Sequence, residues 1–209
     1  MVILARKKIV IFDLDGTLID SNLIKRSCFL ALCENALETG IMIKLLDDPT
    51  NTRNDIFEIF AKKLCKTDYQ ESFLLRTFNS NVRNKLSKSK EIKGASKLMI
   101  KLNSMGIKMY LSSLTPSAEI TPIIKSHGWT DLFDDIFGSP QDKSETIRLL
   151  MDNKQFNAKD IVIIGDGEDD FLSAKRNSID FIPVGEGRGD HNTKIKTIEE
   201  IKIDLCNSI

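Results

Sequence analysis

The sequence predicts an α/β fold: a parallel sheet with helices on both faces, interrupted once by an all-helical insert. Three observations carry this reading. Four short apolar runs have the near-continuous hydrophobicity of strands buried on both sides: Ile9 to Phe12, Ile107 to Leu111, Ile161 to Ile164 and Phe181 to Val184. Helical periodicity fills the gaps between the later runs, the alternation that builds a parallel sheet. Residues 21 to 89, by contrast, carry helical patterns and no convincing strand.

The first strand, Ile9 to Phe12, runs directly into Asp13, Asp15 and Gly16. The insert follows. Leu23 to Leu37 is one long amphipathic pattern. Asn54 to Leu64 repeats Ile56, Phe57, Ile59, Phe60 and Leu64 at helical spacing, and Gln70 to Leu86 repeats Phe73, Leu74, Phe78, Val82 and Leu86. A right-handed crossover needs one helix, so three helices predict a separate unit. The basic stretch RNKLSKSKEIK, residues 83 to 93, reads as its solvated exit. Beyond it, Ala95 to Met105 places Leu98, Met99 and Leu102 on one face ahead of the second strand. Ser117 to His127 is a helix led in by Pro116, with Trp129 and Phe133 expected at the edge of the core. Asp142 to Asp152 is a helix carrying Ile147, Leu149, Leu150 and Met151, and Asp169 to Asn177 follows the third strand. GEGRG, residues 185 to 189, reads as a loop, because it lacks the Lys and Ser/Thr of a phosphate-binding P-loop.

A chain of 209 residues can bury one full core and a smaller attached unit. Thirty basic residues balance thirty acidic ones, which excludes a general field drawing in nucleic acid or an anionic membrane. No segment approaches the roughly 18 apolar residues of a membrane span, and MVILARKKIVIF lacks the apolar run and cleavage site of a signal peptide. Cys28, Cys33, Cys65 and Cys206 form no C-x-x-C and no zinc pattern, so they read as reduced thiols of a cytoplasmic protein. His127 and His191 have no partner at ligand spacing and read as structural or solvated.

The chemistry points to the acidic ends of two strands. Ligands of open parallel sheets bind beyond the carboxyl ends of the strands, where Asp13 stands. Asp13 and Asp15, two apart, can face one site, and Gly16 permits a sharp turn. Taken alone, the same residues also suit a turn with a helix cap. IVIIGDGEDD, residues 161 to 170, repeats the pattern, with Asp166 at the strand end and Asp169 and Asp170 opening a helix. Two carboxylates buried together are costly unless a cation or a proton relieves them. An all-oxygen set suits Mg²⁺. For Asp169 the simpler reading is favourable charge at a helix N-terminus.

In these motifs the sequence resembles the haloacid dehalogenase (HAD) superfamily of phosphohydrolases. DLDGT, Asp13 to Thr17, matches the D-x-D-G-T nucleophile loop. MYLSSLTP, Met109 to Pro116, resembles the second motif's strand, with its Ser at Ser113. Lys143 in GSPQDKSE resembles the third motif's lysine, and GDGEDD, Gly165 to Asp170, matches G-D-x-x-x-D. Leu114 stands where relatives often have Asn, and Ser144 where they often have Pro. The resemblance implies a Rossmann-like core domain, residues 1–19 and 91–209, with a helical cap domain, residues 20–90, of the family's first cap class.

It also implies roles. Asp13 attacks phosphorus and forms an aspartyl-phosphate. Asp15 protonates the leaving alcohol and then takes a proton from water. Mg²⁺ is held by Asp13, the backbone carbonyl of Asp15, and Asp166, with Asp170 acting through water. Ser113, Lys143 and backbone N–H groups near Leu14 bind the phosphoryl oxygens. An Asp at position 15 fits hydrolysis of a phosphate monoester on a small metabolite. The same residues also serve a phosphomutase of the β-phosphoglucomutase type, and a non-catalytic HAD domain is a third reading. Within the insert, Asn51, Thr52, Arg53 and Asn54 are the most polar loop, where Arg53 could meet a substrate anion and Thr52 or Asn54 could equally cap a helix. The sequence carries no signal of oligomeric state.

Overall fold

The structure, a computed structural model, describes residues 2–4, 7–48, 50–51, 53–64, 68–154, 156–185 and 197–202. The chain divides into two compact units, residues 1–20 with 90–209, and residues 21–89.

The larger unit is built on a five-stranded parallel sheet. Its strands are β2 (Ile9–Phe12), β3 (Lys108–Pro116), β4 (Asp135–Ser139), β5 (Ile161–Gly165) and β6 (Asp180–Pro183), in the order β4-β3-β2-β5-β6. A two-residue strand β1 (Val2–Ile3) pairs separately with β7 (Ile201–Lys202). β2 lies at the centre, pairing Phe12 with Leu111 on one side and with Ile164 on the other. Alternate side chains of a strand face opposite ways. Ile9, Ile11, Ile161 and Ile163 pack with Ile147, Leu150 and Ala174 of the helices that follow β4 and β5. Val10, Phe12, Val162 and Ile164 point to the other face and are equally buried. Both faces are therefore covered, which is why these strands read as unbroken apolar runs. The covering helices are α5 (Ala95–Ser104), α6 (Ser117–Ser126), α7 (Lys143–Lys154) and α8 (Glu168–Arg176). Trp129 is fully buried, and Phe133 meets Phe12 edge-on at 6.4 Å.

Among its described residues the smaller unit holds four helices: α1 (Asn22–Leu30), α2 (Ala36–Asp47), α3 (Arg53–Lys63) and α4 (Asp68–Leu86). Phe29, Phe57 and Phe78 form its aromatic centre, with ring centroids 4.2 to 5.4 Å apart. The pattern from Leu23 to Leu37 is thus not one helix. It breaks after Leu30, and Asn35 starts α2 by accepting from the Glu38 amide at 3.0 Å, while Glu38 accepts from the Glu34 amide at 2.9 Å. These reciprocal caps outweigh continuation of the apolar stripe.

Two further differences concern the sheet. β3 runs to Pro116 instead of stopping at Leu111, since Ser112, Ser113 and Thr115 hide a strand in polar residues. β4 carries no clear apolar run, because Asp135, Gly138 and Ser139 dilute it at the edge of the sheet. No helix among the described residues is long and apolar enough to cross a membrane.

Candidate active site

Strand pairing delivers the acidic residues to one place. The Asp13 amide donates to the Ile164 carbonyl at 2.9 Å, which fixes the end of β2 beside the end of β5. The chain then turns: the Leu14 carbonyl accepts from the amides of Leu18 and Ile19, both at 3.0 Å. Gly16 makes the turn with φ +83°, and a Cβ there would lie 2.1 Å from Asp166 Oδ2. Only glycine lets this loop approach the Asp166 carboxylate so closely. The same holds on β5, where a Cβ on Gly165 would lie 2.2 Å from Asp170 Cγ.

Lys143 joins the two acidic segments. It opens α7, and its ammonium lies 2.8 Å from Asp13 Oδ1, 2.5 Å from Asp170 Oδ1 and 2.7 Å from Asp169 Oδ2. Asp170 also accepts from the Gly167 amide through Oδ2 at 3.1 Å, which ties the first turn of α8 to the cluster. Lys143, Asp13 and Asp170 are 3%, 4% and 0% exposed, so these are interior charges and not a screened surface network.

Their electrostatics follow from burial and crowding. Burial pushes the Asp13 carboxyl up, Lys143 pulls it back, and Asp15 and Asp169 push it up again, leaving it raised. Asp170 is raised well above the usual carboxylate range, first by burial and then by Asp13. Burial and the Asp13 charge lift Asp166 to about 7. Burial opposes the Lys143 ammonium, but Asp13, Asp170 and Asp169 together hold it well above its usual range. One ammonium thus faces four carboxylates, those of residues 13, 166, 169 and 170.

That imbalance favours an added cation. Asp13, Asp166 and Asp170 each offer a carboxylate oxygen, and these atoms lie within 4.8 Å of one another. Hard oxygen donors with excess negative charge fit Mg²⁺.

Asp15 takes a different partner. Its Oδ2 accepts from the Thr115 hydroxyl at 2.6 Å, and Ser113 Oγ stands at the limit of reach, 3.5 Å. Ser113 Oγ in turn accepts from the Thr115 amide at 3.1 Å. The sequence signals singled out Ser113 and passed over Thr115, yet the two share a face of β3 at i and i+2. Asp169 was read as a helix-end charge, and it also faces Lys143.

The remaining candidates make other contacts within their own unit or lie outside the described residues. His127 stacks on Trp129 at 4.4 Å, and burial lowers its pKa. Arg53 is exposed at the start of α3, and Asn51 donates its side-chain amide to the Leu45 carbonyl at 3.0 Å. Thr52, Cys65, His191, Cys206 and all of GEGRG beyond Gly185 lie outside the described residues.

Comparison with known proteins gives a consistent result. The family model of haloacid dehalogenase-like hydrolases matches residues 10–184. The chain is similar to the 5'-nucleotidase of Pseudomonas aeruginosa, 26% identical over 193 residues, which cover 88% of this chain and 85% of that protein. It is similar to the phosphoglycolate phosphatase of Vibrio parahaemolyticus, 23% identical over 197 residues, covering 80% and 79%. Among solved structures, a Haemophilus somnus protein described as a predicted phosphoglycolate phosphatase superposes with a TM-score of 0.74 at 18% identity, covering 96% of this chain and 95% of that one. YfnB of Bacillus subtilis, solved bound to magnesium, gives a TM-score of 0.71 at 20% identity, covering 93% and 96%. At those identities the structural likeness speaks to the fold alone.

Proposed function

We propose that this chain, which belongs to the haloacid dehalogenase-like hydrolase family, is a Mg²⁺-dependent phosphatase acting on a small phosphorylated metabolite. The observation that carries the proposal is the buried Asp13 carboxylate, held at 2.8 Å by Lys143 and grouped with Asp166 and Asp170 from a separate segment.

In this reading Asp13 attacks the phosphorus of the substrate. A bond forms between its carboxylate oxygen and phosphorus, and the bond to the ester oxygen breaks. Asp15 passes its proton to that leaving oxygen. The resulting aspartyl-phosphate is then hydrolysed by water, which gives a proton back to Asp15. Lys143 holds Asp13 Oδ1 in place and offsets phosphoryl charge. Ser113 and the backbone amides near Leu14 would orient the phosphoryl oxygens. Asp13, Asp166 and Asp170, with the Asp15 carbonyl, would hold Mg²⁺. When bound, the ion supplies the positive charge that lets an anionic carboxylate approach an anionic phosphate. Residues 20–90 would serve as the cap domain of a core formed by residues 1–19 and 91–209.

The relatives set the test panel: nucleoside monophosphates and phosphoglycolate, with sugar phosphates beside them. Phosphate release with Mg²⁺, abolished by EDTA and by Asp13→Asn, is the expected result. Release that survives both treatments would remove this mechanism.

A further inference from the structure

The acid–base carboxylate of this site is held by a side chain that no family motif names. Thr115 lies on the polar tail of β3, where Ser113, Leu114 and Thr115 are 2%, 56% and 6% exposed. The alternation turns Ser113 and Thr115 inwards together and Leu114 outwards. A register shift against β4 between Ser113 and Pro116 sets this tail. Gly138 permits it, since a Cβ there would lie 2.7 Å from the Thr115 carbonyl and 2.6 Å from the Ser117 amide. The Thr115 amide is itself fixed by Ser113 Oγ at 3.1 Å. A rigid strand therefore presents the Thr115 hydroxyl to Asp15 Oδ2 at 2.6 Å.

We propose that Thr115 is the positioning residue of the general acid: by donating to Oδ2, it assigns the transferable proton to Oδ1 and aims that oxygen at the leaving group. An ionised carboxylate can only accept, so the hydroxyl must be the donor in that state. When Asp15 is protonated, the same bond keeps Oδ2 as the accepting carbonyl oxygen and leaves the proton on Oδ1. In the first step the Oδ1 proton passes to the ester oxygen as its bond to phosphorus breaks. In the second, Oδ1 takes a proton from the attacking water. Thr115 keeps its own proton throughout.

This inference rests on the general-acid role proposed for Asp15, and the test separates the two. A series of aryl phosphates from p-nitrophenyl to p-methoxyphenyl is hydrolysed by wild type, Asp15→Asn, Thr115→Val and Thr115→Ser with Mg²⁺. The logarithm of kcat/KM is then plotted against leaving-group acidity. Proton donation flattens that plot for wild type. Asp15→Asn should steepen it. Thr115→Val should also steepen it, losing on the order of tenfold or more on the least acidic leaving group relative to p-nitrophenyl phosphate. Thr115→Ser should restore the wild-type slope. If Asp15→Asn steepens the plot while Thr115→Val lowers every substrate equally, Thr115 is merely structural and the inference is overturned. If Asp15→Asn leaves the slope flat, the general-acid reading itself fails.

Discussion

Asp166 is held near pH 7 by burial and by the Asp13 charge, and that shift has a definite sign. Its carboxyl is raised above the ordinary 3.8, so the metal-free native state binds this proton more tightly than the unfolded chain does. Stability from this group is therefore fully present below about pH 3.8 and is lost as pH rises towards 7. Asp13 and Asp170 are shifted the same way. The metal-free protein should melt progressively lower between pH 5 and pH 8, and Asp166→Asn should flatten that decline. Mg²⁺ should raise the Tm more at pH 8 than at pH 5, because protons compete with the ion for the same oxygens. Thermal melts with and without Mg²⁺ measure both effects, and a Tm independent of pH and metal would contradict them. Asp13, Asp15 and Asp166 stood out in the sequence because each follows an apolar strand where a charge is conspicuous. Lys143 and Ser113 took their meaning only from the motif resemblance. Thr115 was passed over because the polar run S-S-L-T-P did not read as strand; once β3 extends to Pro116, the period of two puts Thr115 on the face of Ser113.

At the scale of elements, the site depends on two strand-to-helix turns drawn tight by glycine. Gly165→Ala should displace Asp170, because the new Cβ would fall 2.2 Å from its Cγ. The expected outcome is a cost of about 1–3 kcal/mol from overpacking, with a weaker Mg²⁺ affinity measured by titration calorimetry. Gly40→Ala provides the contrast, since its Cβ meets nothing within 4 Å and gains helix propensity in α2. Unchanged Mg²⁺ affinity in Gly165→Ala would show that Asp170 is not held by this turn. The elements were readable to the extent that hydrophobic periodicity was undiluted. β2 and β5, buried on both faces, were plain. β4, at the edge and carrying Asp135 and Gly138, was not. The division between α1 and α2 lay in a cap pattern, Asn35 with Glu38, overlooked beneath a continuous apolar stripe.

Across the whole molecule, the chain divides into two compact units. Phe78 is 2% exposed, and its ring centroid lies 4.2 Å from that of Phe29, tilted by 36°, inside the helical unit. Phe78→Ala should cost about 3–5 kcal/mol, read from the denaturant midpoint. It should leave intact the Mg²⁺ affinity proposed for Asp13, Asp166 and Asp170, all three of the larger unit. Loss of that affinity in a folded variant would show the metal site to depend on the helical core. The most direct test of the whole account is chemical: turn over a substrate from the phosphate-release panel, quench in acid within one turnover, and map the phosphoryl group by peptide mass spectrometry. The expected result is a phosphoryl adduct on the peptide carrying Asp13, absent from Asp13→Asn together with phosphate release. An adduct on any other residue, or full turnover by Asp13→Asn, would contradict it.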